Sequence, residues 1–150
     1  MANKPIDDIL ETLSQMPKLH RGIQKNIFKK SLGELSEGIS RHHLEIMKLL
    51  YDEGRLHLAE ISDMLFISKS QMTRLIDELI GLEMVERQTD AVDRRKSNII
   101  LTNKGEKVVQ EVRAKIGEGI KEWLSSLSDD ELEKLSASLK IIHDIIFKLS

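Results

Sequence analysis

Two segments with helical apolar spacing, Leu58–Leu65 and 68–80, are separated only by Phe66-Ile67, and this short link constrains the chain more than any other feature. The second segment opens on Ser68-Lys69-Ser70-Gln71, which has the form of a capping box: a Ser N-cap with Gln at N3. Met72, Leu75, Ile76 and Leu79 then recur at helical intervals and predict one buried stripe. In the shorter segment Leu58, Ile61, Met64 and Leu65 are expected to face inward. Helices joined by so short a turn cross at a large angle, so the second can project its outer face into a major groove.

That outer face carries Lys69, Ser70, Thr73, Arg74 and Asp77. Lys and Arg can meet guanine edges or phosphates, while Ser and Thr can bond bases or backbone. Ser68 at the helix start adds backbone amides suited to a phosphate. Taken alone, the same helix reads equally well as a solvated face. The segment behind it shifts the balance. Met84–Arg87 and Ser97–Leu101 have strand character and flank a polar connection, which predicts a hairpin. Residues 87–96 hold Arg87, Arg94, Arg95 and Lys96 against Asp90 and Asp93. The formal net charge is −2, so a generic polyanion binder is disfavoured. Affinity for DNA depends on the charges that reach phosphates, and here the cations gather beside one helix.

The rest of the chain reads as helices. Pro5 suits a first turn, and Ile6, Ile9, Leu10 and Leu13 follow at helical spacing. Pro17 should kink or break that helix. A second stretch places Leu19, Ile23, Ile27 and Phe28 on one side, and Gly33 and Gly38 mark a loosening. Ser40 is the expected N-cap of a helix reaching Glu53, with Gly54 as its stop and Leu44, Met47 and Leu50 or Tyr51 inward. A short extended piece, Arg55–His57, follows. Thr102 can cap a long helix to about Leu124, and Ser128-Asp129-Asp130-Glu131 is a capping box for a last helix.

Several function classes are disfavoured. The chain has no Cys, which removes disulfides, thiolate metal sites and cysteine redox sensing. His20, His42, His43, His57 and His143 lack metal-ligand spacing, and each reads as a surface or partly buried polar residue. Ser70 has no identifiable His and acid partners, Glu60 and Asp63 form an ordinary charged helix face, and no Gly-rich phosphate loop is present. The expectation is a protein that is not an enzyme and uses no cofactor or metal. The absence of a secretory leader pattern and of an 18-residue apolar run predicts a cytoplasmic protein with no membrane partner.

At the level of motifs, Glu60-Ile61-Ser62, Leu65 and the run Ile67–Leu79 resemble the reading head of the MarR family of winged helix-turn-helix regulators. Gly81-Leu82, Val85-Glu86-Arg87, Asp93-Arg94-Arg95, Leu101-Thr102 and Gly105 are similar to its wing and following helix. The similar segment covers about 42–106. The resemblance implies a mainly α (α+β) fold: one regulator domain over 1–150, with a winged lobe at 42–101 and dimerisation helices at 5–36 and 102–149. It implies a homodimer that binds double-stranded DNA at pseudo-palindromic promoter sites, mostly as a repressor. By the same resemblance Arg95 enters the minor groove, Asp93 holds the wing or orients Arg95, and Arg94 and Lys96 meet phosphates. The expected DNA-binding set is Ser68, Lys69, Ser70, Gln71, Thr73, Arg74, Arg94, Arg95 and Lys96. A small-molecule effector is allowed, though the aromatic content of 3% gives it no support. Leu124, Leu127, Leu135, Leu139, Ile142, Ile145, Ile146 and Leu149, with Ile6, Ile9, Leu10 and Leu13, could form the two-fold interface or could all be internal core. The rival reading is a non-enzymatic protein-interaction module on the same fold.

Overall fold

The computed structural model describes residues 3–28 and 38–150, the side chain of Phe28 excepted. The expected loosening at Gly33 lies outside these residues. In chain order the elements are α1 (Lys4–Ile23), continued by a π-helical turn (Gln24–Phe28), then α2 (Arg41–Glu53), β1 (Arg55–His57), α3 (Leu58–Leu65) and α4 (Lys69–Gly81). They are followed by β2 (Val85–Thr89), β3 (Ser97–Leu101), α5 (Asn103–Leu124) and α6 (Asp129–Phe147). The chain forms two compact units, Glu34–Ala114 and the terminal segments Met1–Gly33 with Lys115–Ser150.

In the first unit the predicted stripe of α4 is buried at all four positions, Met72, Leu75, Ile76 and Leu79. It packs in one cluster with Ile46, Met47 and Leu50 of α2, Ile61 of α3, and Val85, Ile99 and Val109. Each such side chain contributes about 1.5–3 kcal/mol through removal from water. In α3 the inward face differs from expectation. Met64 is 46% exposed, whereas Ser62 is buried. Leu58, Ile61, Ser62 and Leu65 form the regular i, i+3, i+4, i+7 stripe, and Met64 falls at its edge.

Local chemistry sets the ends of these helices. Ser40 Oγ accepts from the His43 N–H at 3.3 Å, and His43 Nδ1 accepts from the Ser40 N–H at 3.0 Å. This is a capping box with a histidine at N3 where Glu or Gln is usual. At the other end of α2, Gly54 has φ 87°, a conformation that costs a glycine little. The link between α3 and α4 turns on Phe66, whose backbone is left-handed at φ 54°, ψ 39° and whose N–H donates to the Ser62 carbonyl. Phe66 is 96% exposed, so its ring offsets none of that strain by burial. Phe66→Gly is therefore expected to stabilise the protein by about 0.5–1 kcal/mol, raising the thermal midpoint by roughly 2 °C, as calorimetry can measure.

The three strands form one antiparallel sheet in the order β1-β3-β2. β3 is central, pairing Leu56 with Ile99 on one side and Arg87 with Ile99 on the other. α5 begins directly after β3. Thr102 Oγ1 accepts from the Gly105 N–H at 3.1 Å and donates to the Glu83 carbonyl at 2.6 Å, so the expected cap also ties α5 to the turn before β2. Gly105 is pressed onto that turn: a Cβ there would overlap the Met84 carbonyl oxygen and lie 2.9 Å from Leu101 Cδ2. Farther along α5, Arg113 pairs with Asp52 at 2.6 Å and lies 4.7 Å from the centre of the Tyr51 ring.

In the terminal unit α1 is one continuous helix of 20 residues with Pro17 inside it, which corrects the expected break. Proline removes one ladder bond and crowds the preceding turn, and the other bonds of this long helix hold it through that point. α6 starts at the predicted box, with Ser128 Oγ accepting from the Glu131 N–H at 3.2 Å and the Ser128 N–H donating to Glu131 Oε2 at 2.9 Å. Neither α1 nor α6 has a buried residue. Among the described residues no helix is long and apolar enough to cross a membrane.

Candidate nucleic-acid interface

The outer face of α4 is presented as the stripe beneath it requires. Lys69, Ser70, Thr73 and Arg74 are exposed, and Gln71 is half-buried. Ser68 Oγ accepts from the Gln71 N–H at 3.3 Å, the first arm of the predicted box; the reciprocal Gln71 arm is absent among the described residues. Thr73 Oγ1 donates to the Lys69 carbonyl at 2.9 Å, and Ser68 and Ser70 hydroxyls lie 3.4 Å apart. One turn farther on, two acids meet cations. Asp77 Oδ1 accepts from Arg87 of β2 at 2.7 Å. Glu78 accepts from Arg74 at 3.4 Å through Oε1 and from His43 Nε2 at 2.8 Å through Oε2.

The hairpin projects Asp90–Lys96 beyond the ladder. Arg94, Arg95 and Lys96 are exposed there and have no ion pair among the described residues. Asp93 works on the backbone: its Oδ1 accepts from the Arg95 N–H at 3.0 Å, and its carbonyl accepts from the Lys96 N–H at 3.0 Å. The guanidinium of Arg95 is therefore left to the solvent side. Behind the tip, Asp90 Oδ1 accepts from the Val92 N–H at 2.8 Å and the Asp93 N–H at 3.1 Å. Those two backbone bonds hold the Asp90 carboxyl below the usual carboxylate range, with His57 and Asn98 adding to them against partial desolvation. The sign is that of a group that is ionised in the fold, whose contribution persists above the ordinary carboxylate value and fades as pH falls through its lowered one.

Two members of this site escape sequence reasoning. His43, expected at the surface or partly buried, is 4% exposed and joins the start of α2 to α4 through Glu78. The only sequence signal is its position three residues after Ser40. Asp90, counted above as a charge opposing the basic tip, is the acceptor around which the tip turns. An Asp followed by main-chain donors two and three residues on has the form of an Asx turn, and that pattern could have flagged it. Among the described residues no group of three or more His, Cys, Asp or Glu could hold a metal ion.

Three helices with a short second-to-third turn, followed by an antiparallel hairpin with a third edge strand, define a winged helix-turn-helix, here mainly α with a small β-wing. The MarR family model matches residues 37–96. The HTH-type transcriptional regulator YsmB of Bacillus subtilis (strain 168) is 31% identical over 147 residues, covering 97% of this chain and 98% of that one. A MarR family protein from Bacillus stearothermophilus has a similar structure, with a TM-score of 0.74 and 26% identity over 91% of this chain and 96% of that chain. RV1404 from Mycobacterium tuberculosis shares the fold at a TM-score of 0.77 and 23% identity, over 96% and 95% of the two chains. The chain belongs to the MarR family of transcriptional regulators.

Proposed function

We propose that the protein acts as a homodimer that binds double-stranded DNA at a pseudo-palindromic promoter site and represses transcription from it. The observation that carries this reading is the pairing of two exposed polar surfaces within one compact unit: Lys69, Ser70, Thr73 and Arg74 on α4, and Arg94, Arg95 and Lys96 on the hairpin. In this reading α4 lies in a major groove and Arg95 enters the adjoining minor groove, where the negative potential of narrow A·T-rich steps suits a guanidinium. Arg94 and Lys96 meet phosphates. Asp93 holds Arg95 by its backbone, and Ser68 and Gln71 support the first turn of α4. Dimerisation is supported by the apolar side chains that α1 and α6 expose in one chain, among them Ile9, Leu10, Leu139, Ile142 and Ile146. Two copies related by a two-fold axis would set their α4 helices about one DNA turn apart.

Selection from a random duplex library followed by titration of the enriched site tests the reading. A dyad-symmetric motif is expected. Arg74→Ala should cost about 1–3 kcal/mol and relax preference at major-groove positions, whereas Arg95→Ala should weaken binding and relax preference in flanking A·T-rich steps. Selection that enriches no motif would overturn sequence-specific regulation and favour the protein-interaction alternative.

A further inference from the structure

We infer that His57 and Asp90 are positioning residues for Arg95, setting the direction of the wing and with it the flanking-base preference of the DNA reading proposed above, on which this inference rests. His57 ends β1 and occupies the N-cap position of α3, where a short polar side chain ordinarily turns back onto the helix. Its imidazole points elsewhere. Nδ1 lies 3.3 Å from the Ser97 carbonyl oxygen, and Nε2 lies 3.3 Å from Asp90 Oδ2. Capping of α3 is left to Glu60, whose carboxylate accepts from the His57 N–H at 2.7 Å.

Asp90 faces both ways. Oδ1 gathers the N–H groups of Val92 and Asp93, while Oδ2 meets His57 and lies 3.5 Å from the side-chain amide of Asn98, the cross-strand neighbour of His57. The Asp90 N–H donates to the Lys96 carbonyl at 3.1 Å and closes the tip. A continuous set of polar contacts thus runs from the start of α3 through His57, Asp90 and Asp93 to the backbone of Arg95. Among the described residues no apolar anchor competes with it at the tip, where Val92 is 97% exposed. A two-stranded ribbon without such an anchor depends on its root contacts for direction.

A double-mutant cycle on the selected operator tests this. His57→Ala should relax flanking A·T preference as Arg95→Ala does, while preference at the positions read by α4 is retained. The two substitutions should be non-additive: the fold-loss caused by Arg95→Ala should shrink by about threefold or more in the His57→Ala background. Asp90→Asn keeps an oxygen for the Val92 and Asp93 amides but removes the carboxylate facing His57, so it should show the same coupling even if His57→Ala does not fold. His57→Gln, whose side-chain amide can donate toward Asp90, should restore much of the preference. Additive losses at an operator that the unmodified protein selects would overturn the inference and leave the DNA reading standing. Failure of the unmodified protein to select any motif would overturn both.

Discussion

Gly105→Ala is expected to cost about 3 kcal/mol or more of folding stability, read as a fall in the urea midpoint at unchanged slope. The added methyl group would overlap the Met84 carbonyl oxygen. That oxygen is not free to retreat, because it accepts the Thr102 N–H at 3.0 Å. Thr102 is itself fixed, bridging the Gly105 N–H and the Glu83 carbonyl. Relief therefore requires α5 to lift from the base of the hairpin, which also disturbs Val109 in the core cluster. The contrast with Gly117 in the same helix isolates the cause. Nothing lies within 4 Å of a Cβ at Gly117, so Gly117→Ala should stabilise by about 0.5–1 kcal/mol through helix propensity. Equal effects at both positions would show that helix propensity, and not the contact with Met84, decides.

The second large effect is expected from a pair of charges on α6. Leu139→Glu with Ile142→Glu should leave the helical content intact and yield monomers by light scattering. Both residues are about half exposed in the single chain and belong to a stripe with Leu135 and Ile146. Because α6 has no buried residue, charging this stripe removes nothing from a core within the described chain. In a two-fold interface it would place four carboxylates in an apolar seam, where burial of unpaired charge costs several kcal/mol. Separated protomers would each hold one half-site, and loss of the linked second contact should lower operator affinity by about 10²–10⁴-fold, with a footprint shortened to one half-site. A dimer that persists through both substitutions would move the proposed interface away from α6.

How far the sequence discloses these features follows from how local their chemistry is. Ser40, Ser68 and Ser128 mark helix starts because a hydroxyl meets an amide only three residues away, and all three accept that bond. The α4 stripe and β3 are legible because their periods differ and each runs long enough to show it. Ser62 is a polar residue on the inner side of α3, so a reading by hydropathy prefers Met64, although spacing favours Ser62. Pro17 is read as a break because its missing donor is a local fact, whereas the persistence of a 20-residue helix depends on the whole run. The roles of His43 and Asp90 arise from partners that the fold supplies. Glu78 lies 35 positions from His43, and His57 lies 33 from Asp90. A one-dimensional pattern carries no sign of such meetings.

The ion pair between Asp77 and Arg87 has a consequence for the thermodynamics of the proposed complex. Asp77 stands on α4, where, in the proposed complex, an uncompensated carboxylate would repel the phosphates of an approaching duplex. With Arg87 2.7 Å away, that acid carries its counterion within the same molecule. Arg87 in turn is already neutralised before DNA arrives, so docking beside it displaces few of the small cations condensed on the duplex. In that reading the ions released on binding come mainly from phosphates met by Lys69, Arg94 and Lys96. Fewer lysines and arginines govern the electrolyte response than the composition of the reading head implies, and those that do stand at its two extremities.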